Sequence, residues 1–352
     1  MAVSVRDVAS AASVSVGTVS NVLNRPGKVA PSTVERVLHA IEELGFVRND
    51  AARQLRAGRS RSLGLVVLDI SNPFFADVAR GAEDRAAEAG MTVLLGNSDE
   101  TPERERAHLE LFLEQRVNGV LVTPASENLA LLRRLRDSGV PVILVDREVP
   151  GESFGSVAVD DVEGGRLAVA HLLEIGRRRL AYVGGPSSIQ QVADRLRGAR
   201  EAVAGCHDAT LEVVEVPSLS VLNGRDAGET ILERAPAERP DAIFAANDLL
   251  AVGLLQAFAL MSDVRVPDDI ALIGYDDIDF ASTTVVPLSS IRQPAHLIGA
   301  TAVELLLQHT ANPDGDHERN VLFRPELVVR ESTVGRARSA PAGRERGRAH
   351  LG

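Results

Sequence analysis

Apolar residues recur at helical spacing through the first 45 positions, then give way to short continuous runs. Val5, Val8, Ala9 and Ala12 share one helical face, and Val19, Val22 and Leu23 share another after a break at Ser13 and Val14. Ser15 has the chemistry of an N-cap, so a second helix is predicted from Val16. A third is predicted from Pro31, with Val34, Val37, Leu38, Ile41 and Leu44 as its apolar stripe and Gly45 as its stop. Beyond Ser62 the pattern changes. Apolar runs at 63–69, 92–96, 120–123, 142–146, 156–159, 180–184, 211–216, 242–246 and 270–275 read as strands. Amphipathic stretches such as 76–89, 103–114, 162–175 and 249–260 lie between them. This alternation predicts doubly wound parallel sheet, and its length predicts two lobes with a ligand site at the carboxyl ends of the strands.

Charge separates the same two regions. The 352 residues carry a net −11, yet residues 1–61 hold nine Lys or Arg against five Asp or Glu. The stretch 62–335 must then carry −19, and the tail 336–352 is basic again. A basic front end on an acidic body predicts that the front meets a polyanion. Two short helices joined by a tight turn form a helix-turn-helix, whose second helix can enter the major groove of double-stranded DNA. Val16, Gly17, Thr18 and Asn21 would then reach base edges, while Ser15, Thr18 and Ser20 suit phosphate contacts. A structural three-helix domain would share the pattern. Residues 49–58 favour the DNA reading, because Arg53 and Arg56 flank Leu55 as a minor-groove wedge requires.

The body lacks the marks of an enzyme. No GxGxxG follows the first strand, and GxxxxGK[ST] and HExxH are absent. The carboxylate pairs Asp160–Asp161 and Asp276–Asp277 would point to opposite faces of a strand, so neither a metal nor a cofactor is expected. Cys206 is the only cysteine, which excludes a disulfide framework. Strand ends are more informative. Asn72-Pro73-Phe74-Phe75, Asp146-Arg147, Arg195 and Arg197, Asn247-Asp248, Asp276-Asp277 and Gln293 all fall there or just beyond. Aromatic faces beside paired donors and acceptors suit a sugar.

The segments DVA at 7–9, TVSNVLN at 18–24, the Leu44-Gly45-Phe46 exit and ARQL at 52–55 resemble the LacI/GalR transcriptional repressors. That resemblance implies a reading helix, a hinge helix and a sugar-binding core, in this order. The core resembles the periplasmic sugar-binding proteins, most nearly those for ribose and the ribose repressors. It implies an effector site of Asn72, Phe74, Phe75, Asp146, Arg147, Arg197, Asn247, Asp276 and Gln293. Departures are Ser13, where the family often has Gly, Arg48 in place of Pro, Gly17 at a reading position, and no aromatic near Leu219–Leu222.

The expected organisation is therefore an all-α helix-turn-helix domain at 1–48, a hinge helix and linker at 49–61, a two-lobed periplasmic-binding-protein-like α/β core at 62–335, and a disordered tail at 336–352. The expected protein is a cytoplasmic homodimer with no membrane contact, binding a pseudo-palindromic operator and a small neutral sugar. Two alternatives keep part of this. One is a regulator answering to a phosphorylated metabolite or a protein partner. The other is a transport sugar-binding protein, against which the basic first 60 residues and the lack of a signal-peptide pattern argue.

Overall fold

The computed structural model describes residues 3–46, 60–126, 129–149, 154–312 and 320–335. The chain divides into two compact units, Met1–Ser60 and Arg61–Gly352. Arg53 and Leu55 of the expected hinge and the whole of the expected tail lie outside the described residues.

In the first unit, helices Val5–Ala11, Val16–Asn24 and Pro31–Leu44 enclose a small core of Val8, Ala9, Ala12, Val19, Val22, Val37 and Ala40. Local chemistry sets the ends. The Ser4 amide donates to Asp7 Oδ2 at 2.8 Å, and the Thr18 amide donates to Ser15 Oγ at 3.0 Å, each satisfying an amide that the helix itself leaves free. Gly45 ends the third helix at φ +59°, a conformation it adopts without steric cost. The turn between the first two helices instead places Ser13 at φ +51°. Leu38 departs from the expected stripe and is 51% exposed. The buried face of its helix centres on Val37 and Ala40, which turns Leu38 onto the outer edge.

The second unit contains two six-stranded sheets. In residue ranges, the first is ordered Asn320–Phe323, Gly155–Val159, Val142–Val145, Gly119–Val122, Ser62–Val67, Thr92–Asn97, and the second Glu326–Val328, Ser289–Arg292, Ala271–Asp276, Ala242–Ala245, Arg179–Gly184, Thr210–Glu215. In the first lobe, β1 (Ser62–Val67), β2 (Thr92–Asn97), β3 (Gly119–Val122), β4 (Val142–Val145) and β5 (Gly155–Val159) are all parallel. In the second lobe, β6 (Arg179–Gly184), β7 (Thr210–Glu215), β8 (Ala242–Ala245), β9 (Ala271–Asp276) and β10 (Ser289–Arg292) repeat the arrangement. The chain enters the second lobe after β5, returns to the first after β10, and crosses again between β11 (Asn320–Phe323) and β12 (Glu326–Val328). The last three strands are absent from the sequence reading. β10 carries a single apolar residue, Ile291, and β11 and β12 are partly exposed edge strands, β12 antiparallel. Central strands are buried on both faces, as in β3, β4, β5 and β8.

Candidate functional site

The exposed side of helix Val16–Asn24 carries the expected DNA-contacting residues. Ser15, Val16, Gly17 and Asn21 are exposed, Thr18 and Ser20 half-buried. Val16 is 43% exposed, although it opens an amphipathic helix whose other valines, Val19 and Val22, are buried. Two hydroxyls are already oriented: Thr18 Oγ1 lies 2.9 Å from Ser15 Oγ, and Ser20 Oγ accepts from Asn24 Nδ2 at 3.3 Å.

In the second unit, the carboxyl ends of the strands converge on a small cavity between the lobes. Its lining includes Leu68, Asp69, Asn72, Phe74, Phe75 and Glu100 from the first lobe's β1 and β2 ends, with Asp146 after β4. The second lobe supplies Ile189, Gln191, Arg195, Leu219, Asn247 and Asp276. Six of the nine expected effector residues therefore meet here. Asn72 caps helix Pro73–Glu88, accepting from the Phe74 amide at 3.0 Å, while its Nδ2 donates across the lobes to Asp276 Oδ2 at 3.0 Å. The same cap sets Phe74 and Phe75 edge to face, ring centroids 5.0 Å apart. Asn247 caps helix Asp248–Met261, and its Nδ2 donates to the Leu219 carbonyl at 3.2 Å. Gln293 stands behind the cavity and donates to Asp276 Oδ1 at 2.8 Å.

The arginines are arranged otherwise than expected. Arg197 is 59% exposed and pairs with Asp194 at 2.8 Å. It lines a neighbouring groove, together with Arg147. Arg147 is buried and donates to Gln190 Oε1 at 2.8 Å and to the Ser126 carbonyl at 2.9 Å. Arg195 takes the central place. Its Nε donates to Asp161 Oδ1 at 2.8 Å, its Nη1 donates to the Ala246 carbonyl at 2.8 Å and lies 3.9 Å from Asp276, and its guanidinium lies 3.7 Å from the Tyr275 ring centroid. Helix Gln190–Ala204 buries Gln191, Val192, Arg195, Gly198 and Ala199, and Arg197 is two residues, about 200°, away from Arg195. The spacing of Val192, Arg195 and Ala199 on one apolar face was the signal available in the sequence. Gly165 and Gly198 hold this helix close to Asp161–Glu174; a Cβ at Gly165 would stand 2.0 Å from the Arg195 carbonyl oxygen.

Asp161 also departs from the strand expectation. Asp160 is the N-cap of helix Asp161–Glu174, accepting from the Glu163 amide, so Asp161 opens a helix and faces Arg195. Asp276 and Asp277 do diverge: Asp277 turns away to Arg292 and Arg330. Asp248, outside the expected effector set, is buried and accepts from Ser290 Oγ at 2.7 Å and the Ile278 amide at 2.9 Å. Asp146, Asp276 and Asp277 all have positive φ, of +56°, +102° and +54°. Such backbone costs free energy unless the surroundings hold it, and it gathers at sites.

Burial pushes the carboxyls of Asp146 and Asp248 well above the usual range, and those of Asp161 and Asp276 upward despite Arg195. A carboxyl held near neutrality of charge can donate as well as accept. Gln191 Nε2 donates to the Asp146 carbonyl at 2.6 Å and to its Oδ2 at 3.1 Å, while Asp146 Oδ1 is buried with no partner among the described residues. The cavity thus offers two aromatic rings, one held guanidinium, three amides and several carboxyl oxygens within one small space.

A helix-turn-helix unit ahead of a two-lobed core with a polar cavity at its crossovers defines a DNA-binding regulator that answers to a small molecule. Residues 4–49 match the family described as bacterial regulatory proteins, lacI family, and residues 169–333 match the periplasmic binding protein-like domain. The chain is 34% identical over 338 residues to the HTH-type transcriptional repressor PurR of Aliivibrio fischeri (strain MJ11), covering 94% of this chain and 98% of that one. It is 35% identical over 331 residues to a ribose operon repressor of Halalkalibacterium halodurans, covering 94% and 97%. The solved lac repressor dimer bound to operator and the anti-inducer ONPF matches with a TM-score of 0.82 and 28% identity, covering 95% of this chain and 99% of that one. The chain belongs to the lacI family: it is a DNA-binding transcriptional repressor, not an enzyme. No described helix is long and apolar enough to cross a membrane.

Proposed function

We propose that a neutral monosaccharide, a ribose-like pentose first and a hexose second, binds between the lobes and sets the affinity of this repressor for a pseudo-palindromic operator. The observation that carries the reading is the alternation of Asp146, Asp276, Arg195 and Asn247 around one cavity beside Phe74 and Phe75. Neighbouring hydroxyls each donate and accept, so alternating partners select one epimer. The relative named for a ribose operon supports it. Entry requires the lobes to part, because Asn72–Asp276, Gln191–Asp146 and Arg147–Gln190 hydrogen bonds span them.

The proposed organisation is a DNA-reading domain at 1–48, a hinge at 49–61 with Arg53 and Leu55 at the minor groove, and an effector and dimerisation core at 62–335. A homodimer follows from the need to read two half-sites. Leu55→Ala should lower specific operator affinity by a few kcal/mol and leave salt-dependent non-specific binding unchanged. For the effector, the test is titration calorimetry with pentoses and hexoses on the full chain. Asp276→Ala should remove the heat and the sugar response while operator binding persists. Heat from no sugar, with strong binding of a nucleotide or phosphosugar, would replace this reading.

A further inference from the structure

The lining of the cavity is rich in carboxyl groups and poor in cations. Asp69, Glu100, Asp146 and Asp276 face it, against Arg195 as the one cationic side chain among the described lining residues. Arg195 is itself paired with Asp161, so it has little positive field to offer a ligand. Two helices that begin at this cavity have little to offer an anion either. Pro73 has no N–H, and the Phe74 amide donates to Asn72 Oδ1. The Leu250 amide donates to Asn247 Oδ1, and Asp248 follows. The third helix begins at Ile189 without a side-chain cap, but the Asp146 carboxylate, bound to Gln191, flanks its first turn.

Glu100 stands at the first-lobe side. Asp99 and Glu100 both have positive φ, at +51° and +55°, and the Glu100 amide donates to the Leu68 carbonyl at 3.1 Å, which fixes the turn beside β1. The cation of this segment, Arg104, is paired with Asp99 at 2.7 Å. Asp69 accepts from the Ser71 amide and hydroxyl, so its charge is held in place. Asp146 Oδ1, buried in this lining with no partner among the described residues, calls for one from a bound molecule.

We propose that Glu100, with Asp69, is the charge filter of the effector cavity: it admits an uncharged polyol and rejects the phosphorylated form of the same molecule. The inference rests on reading this cavity as the effector site. Ribose, ribose 5-phosphate, glucose and glucose 6-phosphate are the probes, titrated by calorimetry at pH 8, where Glu100 is ionised, into the full chain, into Glu100→Gln, and into Glu233→Gln as an exposed control of equal charge change. The ratio of affinities, free sugar over phosphorylated sugar, should be about 100 or more in the wild type. Glu100→Gln should improve binding of a phosphorylated probe by about tenfold, the order expected for one like charge removed from a partly buried site. Glu233→Gln should leave it unchanged. A phosphorylated probe bound as tightly as its free sugar by the wild type overturns the filter. So does Glu100→Gln with no gain for either phosphorylated probe, including the case in which nothing binds. Failure of the free sugars alone, with the gain at Glu100→Gln intact, would sink the monosaccharide reading and leave the filter standing.

Discussion

Replacing Arg195 by Met should cost far more than the same change at Arg197. Arg195 is buried between Asp161 at 2.8 Å, the Ala246 carbonyl at 2.8 Å and the Tyr275 ring at 3.7 Å. Methionine fills much of the volume but leaves Asp161 and Asp276 without their cation, and Asp146 close by. Removing one partner of a buried pair typically costs about 3–5 kcal/mol. At about 2–4 °C per kcal/mol, the low end being right for a unit this large, the fall in Tm should be on the order of 10 °C. Arg197 forms an exposed pair three residues apart on one helix, worth roughly 0–1 kcal/mol. Arg197→Met should therefore melt within about 2 °C of the wild type. Thermal unfolding of the full chain followed by circular dichroism reads both, and calorimetry with the effector should lose its heat for Arg195→Met alone. Equal losses for the two variants, or an Arg195→Met protein melting with the wild type, would refute the central place given to Arg195.

Three further outcomes follow from the same geometry. Gly165→Ala would put a methyl group 2.0 Å from the Arg195 carbonyl oxygen, so it should destabilise by about 1–3 kcal/mol in denaturant unfolding and weaken effector binding through the displaced guanidinium. Ser13→Gly should stabilise the first unit by roughly 0.5 kcal/mol or more, since relief of the left-handed backbone outweighs the added freedom of the unfolded chain; differential scanning calorimetry of the full chain would show it. Glu100 is lifted to about 7 by burial, with the charges of Asp69 and Asp99 adding. Its favourable contribution is complete below about pH 4.5 and is lost as pH rises through 7, so Glu100→Gln should raise Tm relative to the wild type at pH 8 but not at pH 4.5.

The helix-turn-helix and the succession of strands and helices were legible along the chain because each depends on neighbours. Ser15 capping Thr18, Pro31 opening a helix, Gly45 closing it and the apolar runs of the central strands are all local, and the observed elements begin and end close to where these residues direct. Asn72, Phe74, Phe75, Asp146, Asn247 and Asp276 were legible as cavity lining for a related reason: the cavity of parallel sheets opens at strand ends, and these residues stand there. Leu38 and Arg197 were not. Which edge of a helix faces inward is decided by what packs against it, and the Gly165–Gly198 approach turns Arg195 inward and Arg197 out. Gln191 and Glu100 were missed because nothing in their immediate sequence marks them, and Asp161, noticed as one of a carboxylate pair, was set on a strand when it opens a helix. Asp161 lies 34 residues from Arg195 along the chain, and Asn72 lies 204 residues from Asp276. Their meeting is a product of two sheets brought together by three crossings of the chain. Local propensity and periodicity act over a few residues, whereas a buried charge finds its partner only once the lobes have closed water out of the space between them.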